Sequence, residues 1–394
     1  MMVLALIALV LFAGVAAILG LLLYFYLVQH HISVERVRVV VESMNARKSP
    51  LVVAHLSDFH CDFGIEDRMD AILTETLQAL KEVRPDAICL TGDYVNCHPG
   101  PIDRLCRKFV SKLPTLCSMG VYASLGNHDS YGSREDVPSS FKSSSDYIAS
   151  ELENAGAVVL RNHSVEVDDG VWICGLEDVW NPPGWRGHRI AMQDIHRRSE
   201  SKLRIVLSHN PDTGDHLKEY DYDLQLSGHV HGGQVCFPPF VTIRGYSTNM
   251  NVPVLGFCRP LFDWLIPRVP LVGPILGDMR RHHKYSYVVK RWEWAQGLHD
   301  ISNGVTRKQL YVTKGVGTHR NMRLFCPPEL SILLIGGPSE DIELASVYFF
   351  ILQAILVEMM NSYRIKYLHI ATLDIYSIGK MRWRADISRG FKLQ

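Results

Sequence analysis

None of the nine cysteines stands in a CxxC pair, and their spacings follow no pattern. An odd, unpatterned set is not a secreted disulfide framework and favours a reducing compartment. The chain also lacks net charge, with 41 Lys and Arg against 41 Asp and Glu, and it has no long basic run. A nucleic-acid binder would show a basic footprint, so no nucleic-acid partner is expected. Internal repeats and low-complexity tracts are missing too. What remains is a chain of 394 residues, 47% apolar and 21% charged, long enough to bury one large core and still carry appendages.

The most local absence is at the N-terminus, where no charged residue occurs from Met2 to Val28. That run exceeds the ~20 apolar residues a helix needs to cross a bilayer. No Lys or Arg precedes it and no small-x-small site follows it, so a cleaved signal peptide is the poorer reading. The expectation is a single-pass anchor, with Tyr24 and Tyr26 at one interface. Arg36, Arg38, Arg47 and Lys48 all follow the span, which by the positive-inside tendency puts the rest of the chain in the cytosol. Residues 1–48 then divide into the anchor, about 2–28, and a polar tether.

Beyond residue 49 short apolar runs alternate with helical patterns. Strands are predicted at Leu51 to Leu56, Ala87 to Leu90, Val121 to Leu125, Val171 to Leu176, Leu203 to Leu207, Tyr222 to Leu226, Leu310 to Val312 and Ser331 to Ile335. Met69, Leu73, Leu77 and Leu80 recur at helical spacing before Pro85, and Ile102, Leu105, Phe109 and Leu113 mark a second helix. Several strands stop at a cluster of Asp, Asn or His. In open α/β sheets ligands bind beyond the carboxyl ends of strands.

Five such clusters carry the chemistry: Asp58-Phe59-His60, Gly92-Asp93, Gly126-Asn127-His128-Asp129, Ser208-His209 and Gly228-His229-Val230-His231. Each alone is weak, because a lone histidine is more often structural than a ligand. In this order, each near a strand end, they are specific. Hydrolysis of a phosphate ester needs a nucleophile at neutral pH and neutralisation of charge growing on the phosphoryl oxygens. Two divalent ions about 3.5–4 Å apart provide both, through a bridging hydroxide and a clamp on the phosphate. Mixed N and O ligands suit Mn, Fe and Zn, with Mg also open. In His229-Val230-His231, strand alternation would aim both rings to one side.

The pattern resembles the calcineurin-like metallophosphoesterase superfamily, whose motifs read DxH, GD, GNHD/E, H and GHxH. The run Gly228 to Gln234, followed by Gly315-Val-Gly-Thr318, Arg323 and Pro327-Pro328-Glu329, is similar to its membrane-anchored subfamily. The resemblance implies an α/β fold, a four-layer αββα sandwich core, over residues 49–337. It implies one metal held by Asp58, His60 and His231, a second by Asn127, His209 and His229, and Asp93 bridging them. It makes His128 the catalytic histidine near the leaving group and Asp129 the acid that orients it. Arg320 and Arg323 become candidate phosphate contacts. The expected activity is hydrolysis of a phosphate mono- or diester. The competing reading, a catalytically weak metal-binding membrane scaffold, would show a lost ligand or acid, and neither is missing.

Two stretches depart from that pattern. An apolar insertion, about 238–306, contains Val254 to Leu276, which is broken by Pro260, Pro267, Pro270 and Pro274 and so cannot be one regular helix. It reads either as a loop packed on its own domain or as a membrane-dipping cap that admits a phospholipid or other lipid-linked phosphate. The extension 338–394 has no counterpart in the pattern, and its apolar run Val347 to Val357 is too short to span a bilayer.

Overall fold

Alternation within the strands sorts apolar side chains to two sides of each sheet. In β2 (Leu51–Leu56) and β3 (Ala87–Thr91), Ala54, Leu56, Ile88 and Leu90 face one core while Val53 and Cys89 face another. The first core is closed by helices α1 (Glu66–Val83), α2 (Ile102–Lys108) and α4 (Ser144–Asn154), through Ile72, Leu80, Leu105, Ile148 and Leu152. A short helix, α3 (Asn127–Ser130), follows β4 (Val121–Ser124). The computed structural model describes residues 31–337 apart from 97, 131–135, 180–183, 199, 237–288, 305 and 318–322, together with scattered positions between 12 and 24.

The second core lies between two six-stranded sheets. One has the order β1-β12-β2-β3-β4-β5, and the other β10-β11-β9-β8-β7-β6. The further strands are β1 (Ser33–Val39), β5 (Val158–Val159), β6 (His163–Asp168), β7 (Val171–Gly175), β8 (Leu203–Leu207), β9 (Leu224–Ser227), β10 (Gly297–Asp300), β11 (Gln309–Val312) and β12 (Glu329–Ile335). Both sheets are mixed. β2, β3 and β4 run parallel, as do β7, β8, β9 and β11, while β12 is antiparallel to β2 and β10 to β11. Val53, Cys89 and Tyr122 of one sheet meet Ile173, Ile205, Leu226 and Tyr311 of the other. On the far side of the second sheet, Cys174 and Val206 pack on Ala191, Met192 and Ile195 of α5 (Gly184–His196). The layers therefore run helix, sheet, sheet, helix, as expected.

Three expectations need correcting. Residues 30–48 are not a plain tether, because β1 pairs in parallel with β12 from Ser33↔Glu329 to Val39↔Ile335. Its polar look is that of an edge strand, half-buried along most of its length. Val39, Val41 and Met44 behind it are buried in the core between the sheets. The domain's sheet thus takes in Ser33–Val39. Second, the helix expected through Leu113 stops at Lys108. Phe109 leaves helical geometry (φ −127°), and a 3₁₀ turn containing Pro114 continues from Val110 to Thr115. Third, the stretch assigned to the insertion, about 238–306, includes at its end a strand of the second sheet, β10. Val254 to Leu276 and the extension 338–394 lie outside the described residues, as does most of the run 2–28. Among the described residues no helix is long and apolar enough to cross a membrane.

Met44→Ala is expected to cost about 2–5 kcal/mol, the usual range for emptying a buried Met site. Denaturant unfolding checks it. A cost under about 0.5 kcal/mol would mean that the segment after β1 is not part of the core.

Candidate metal centre

Each cluster sits where its strand ends. Asp58 and His60 follow β2, Asp93 follows β3, Asn127 follows β4, His209 follows β8, and His229 and His231 follow β9. Parallel pairing within each sheet brings these ends to one edge, and the two facing sheets bring the edges together. All seven side chains are buried.

The backbone there is unusual. Asp58 (φ 56°), His60 (φ 44°), Asp93 (φ 52°), His229 (φ 71°) and His231 (φ 53°) all adopt the left-handed region. For non-glycine residues that costs of order 1–3 kcal/mol each, and it persists where surrounding contacts enforce it. The expected strand geometry for His229-Val230-His231 is therefore corrected. β9 ends at Ser227, and both histidines sit in tight turns with Val230 between them in the right-handed helical region. Close approach enforces this. A Cβ on Gly228 would lie 2.1 Å from Asp58 Oδ2, and the His229 N–H donates to both Asp58 oxygens at 3.0 and 3.1 Å.

The side chains form two donor groups. In one, His231 Nε2 lies 3.4 Å from Asp58 Oδ1 and 2.8 Å from His60 Nε2. In the other, His209 Nε2 lies 3.1 Å from Asp93 Oδ2 and 3.2 Å from His229 Nδ1. Asp93 Oδ2 is also 3.5 Å from His60 Nε2, so one carboxylate faces both groups. The Asp58, His60, His231 set and the Asp93, His209, His229 set each have ligand atoms within 4.8 Å of one another, as does a third set of His60, Asp93 and His128. Asn127 is buried, and its Oδ1 has no hydrogen-bond partner among the described residues. Such an orphaned oxygen beside His and Asp donors fits a cation, and the mixed N and O set fits a first-row divalent ion.

Electrostatics point the same way. Burial pushes the Asp58 carboxyl up to about 6, with His209 opposing. Burial also works against ionised Asp93, but the imidazoles of His209 and His128 outweigh it and hold Asp93 well below the usual carboxylate range. Burial disfavours charged His209, yet the Asp93 carboxylate raises it to about 10. The cluster draws positive charge, and protons held there are those a divalent ion displaces. The Thr91 carbonyl lies 2.7 Å from His209 Nδ1, which fixes Nδ1–H as donor and turns Nε2 toward Asp93.

His128 and Asp129 divide their labour differently from expectation. Both Asp129 oxygens accept backbone N–H groups, Oδ2 from Asp93 at 2.9 Å and Gly126 at 2.7 Å, and Oδ1 from Tyr94 at 2.9 Å. Asp129 thus ties the GD and GNHD loops together. The His128 ring instead gives Nδ1–H to the Asn96 carbonyl. Asn96 is held in turn by Asp62, whose Oδ2 accepts from its Nδ2 at 2.9 Å, and by its own N–H to the Cys61 carbonyl at 3.1 Å. Sequence reasoning missed Asn96 because it acts through a backbone carbonyl, which carries no residue signature.

The phosphate-contact expectation for Arg323 is overturned. Its guanidinium is fully buried and donates to the carbonyls of Lys314, Gly315, Gly317 and Cys326. Arg320 lies outside the described residues.

Residues 51–233 match the calcineurin-like phosphoesterase family. The chain carries a calcineurin-like metallophosphoesterase domain. It is 26% identical over 333 residues to the UDP-2,3-diacylglucosamine pyrophosphatase LpxG of Chlamydia muridarum, a match covering 72% of this chain and 83% of that one. An uncharacterized metallophosphoesterase from Aquifex aeolicus is 26% identical over 82% of this chain and 98% of its own. The phosphodiesterase YaeI of Escherichia coli is 25% identical over 72% of this chain and 82% of its own. This metallophosphoesterase is a phosphoric ester hydrolase that uses two divalent metal ions.

Proposed function

We propose that the chain hydrolyses a lipid-linked phosphate or diphosphate ester at a membrane surface. One metal would be held by Asp58, His60 and His231, the other by Asn127, His209 and His229, with Asp93 shared. The observation that carries the two-metal part is Asp93 Oδ2, 3.5 Å from His60 Nε2 and 3.1 Å from His209 Nε2. Ions bound there would supply Lewis-acid neutralisation of phosphoryl charge and lower the pKa of water.

The chain's own residues do the rest. With Nδ1–H committed to the Asn96 carbonyl, His128 presents Nε2 as the ring nitrogen through which a proton passes to the leaving-group oxygen. Asp129, Asn96 and Asp62 hold the loops that fix that ring. Burial of the whole cluster excludes bulk water and keeps its charges effective.

Three observations support a lipid-linked substrate. The LpxG relative is named for cleavage of a diphosphate on a diacylated sugar. Phe12, Val15, Leu19 and Leu23 of the apolar N-terminal run are exposed at helical spacing, an apolar stripe suited to lipid. At the end of that run the Tyr24 ring packs at a tilt of 39° against Phe325, with ring centroids 5.0 Å apart, and Cys326 beside it touches the His231 carbonyl. The end of that apolar run thus touches a segment that borders a proposed metal ligand.

The test uses the full chain in detergent micelles with Mn, Fe, Zn or Mg in turn. Bis-nitrophenyl phosphate and nitrophenyl phosphate are compared with an acylated glycerol phosphate and a diacylated sugar nucleotide. A preference in kcat/KM of about tenfold or more for an acylated ester is expected, a gain of about 1.4 kcal/mol in transition-state binding. Equal rates on soluble and acylated esters would remove the lipid from the account. Replacing Phe262, Trp264 and Leu265 with serine is expected to depress only the acylated substrates. Equal losses on all substrates with a lowered Tm would instead make Val254 to Leu276 core packing.

A further inference from the structure

We infer that Arg323 is a positioning residue that clamps the two sides of one metal half-site, Asp58 and His231, into register. The inference rests on the assignment of Asp58, His60 and His231 as ligands of one ion.

The Asp58 side is held by the loop after β11. The Val316 N–H donates to the Ser57 carbonyl at 2.9 Å, and the Gly317 N–H donates to the Asp58 carbonyl at 2.7 Å. No side chain fits in this seam. A Cβ on Gly315 would lie 2.7 Å from the Asp58 Cβ, and one on Gly317 would lie 1.9 Å from the Phe59 carbonyl. The His231 side is held by residues 324–326. Leu324 exchanges backbone hydrogen bonds with Gln234 and Cys236 at 2.8 and 2.9 Å, and the Cys326 thiol donates to the His231 carbonyl at 3.3 Å.

Arg323 joins these halves. Its Nη2 donates to the carbonyls of Lys314 at 2.7 Å and Gly315 at 3.2 Å, its Nε to Gly317 at 3.1 Å, and its Nη1 to Cys326 at 3.2 Å. One rigid fork thus caps three carbonyls of the Asp58 loop and one of the His231 loop. The planar guanidinium with five donors can do this, and a lysine ammonium cannot. Phe325, two residues along the chain, is held at φ 52°, a left-handed conformation that persists where surrounding contacts hold it. The β11 end of the same loop has a second anchor in Glu329. Glu329 donates its N–H to the Gly315 carbonyl at 2.9 Å, and its Oε2 lies 3.1 Å from Lys314 Nζ. Loss of Arg323 therefore loosens the seam between the loops while each loop keeps an anchor of its own.

The prediction is a loss confined to one metal. Outer-shell partners of ligands are worth about 10–100-fold in metal affinity. Mn binding to the full chain is measured by titration and by metal content after dialysis, beside the Tm of the metal-free protein. On an Asn127→Ala background, which keeps the Asp58, His60 and His231 half, Arg323→Met is expected to weaken the remaining ion about 10–100-fold. On a His60→Ala background, which keeps the other half, it is expected to change affinity less than about twofold, a shift of roughly 0.4 kcal/mol. Arg323→Lys is expected not to rescue. Cys326→Ala removes the thiol that touches the His231 carbonyl, Arg323 Nη1 and the Cys236 thiol while keeping the carbonyl that Arg323 caps, and is expected to weaken the same ion if Arg323→Met fails to fold. Equal weakening on both backgrounds, or rescue by lysine, overturns the clamp. An ion in Asn127→Ala that depends on His60 but not on Arg323 or Cys326 overturns the clamp alone. An ion there that is indifferent to His60 overturns the ligand assignment, and the clamp with it.

Discussion

Asp93→Asn is expected to reduce turnover to background and to leave at most one divalent ion per chain. Among the described residues an Asp93 oxygen faces both donor groups, through His60 on one side and His209 on the other. Removing its charge removes the carboxylate that raises His209 and offsets both ions. The substitution is nearly isosteric. Its Oδ1 still accepts the His128 N–H, which Asp93 accepts at 2.9 Å, so the loop carrying His128 keeps its seat. Metal content by mass spectrometry and hydrolysis of a soluble ester check the expectation together. Wild-type turnover in this variant would take Asp93 out of the site, and two bound ions with no turnover would give it a role other than holding metal.

His128→Gln is expected to leave both ions bound while cutting the rate by about 10²–10⁴, the worth of a positioned acid or base. Its ring packs edge-on against His60 with centroids 4.8 Å apart, so it stands at the metal cluster. Hydrogen bonding decides its role. A carbonyl can only accept, so the Nδ1 that faces Asn96 carries a hydrogen, and Nε2 is the ring nitrogen through which a proton would pass to the leaving group. The loss should shrink for nitrophenol, which leaves without a proton, and be largest for an alkyl alcohol. Equal losses across leaving groups would remove the general-acid role.

The fold and the seven proposed ligands were legible because each ligand ends an apolar run. Short strands such as Leu51–Leu56 and Leu203–Leu207 announce themselves, and the polar residue that stops them is where a sheet edge places chemistry. β1, β5, β6 and β10 were not legible. Edge strands alternate little and stay half-exposed, so Ser33–Val39 and His163–Asp168 read as polar connections. Helix α4 was missed because only part of one face, Ile148, Ala149 and Leu152, carries apolar burial. Left-handed turns at His229 and His231 defeated the alternation argument, since a strand period applies only while the backbone stays extended. Asn96 was missed and Arg323 was given the wrong role for a shared reason. One acts through its main-chain oxygen and the other on main-chain oxygens, and pattern reading weighs side chains alone.

The central claim is two ions sharing Asp93. Anomalous diffraction at the Mn edge, from crystals of the full chain grown with Mn, tests it most directly. The account predicts two adjacent peaks per chain, one bounded by Asp58, His60 and His231, the other by Asn127, His209 and His229, with Asp93 between them. A single peak at saturating Mn, or a pair in which Asp93 touches only one ion, would contradict it.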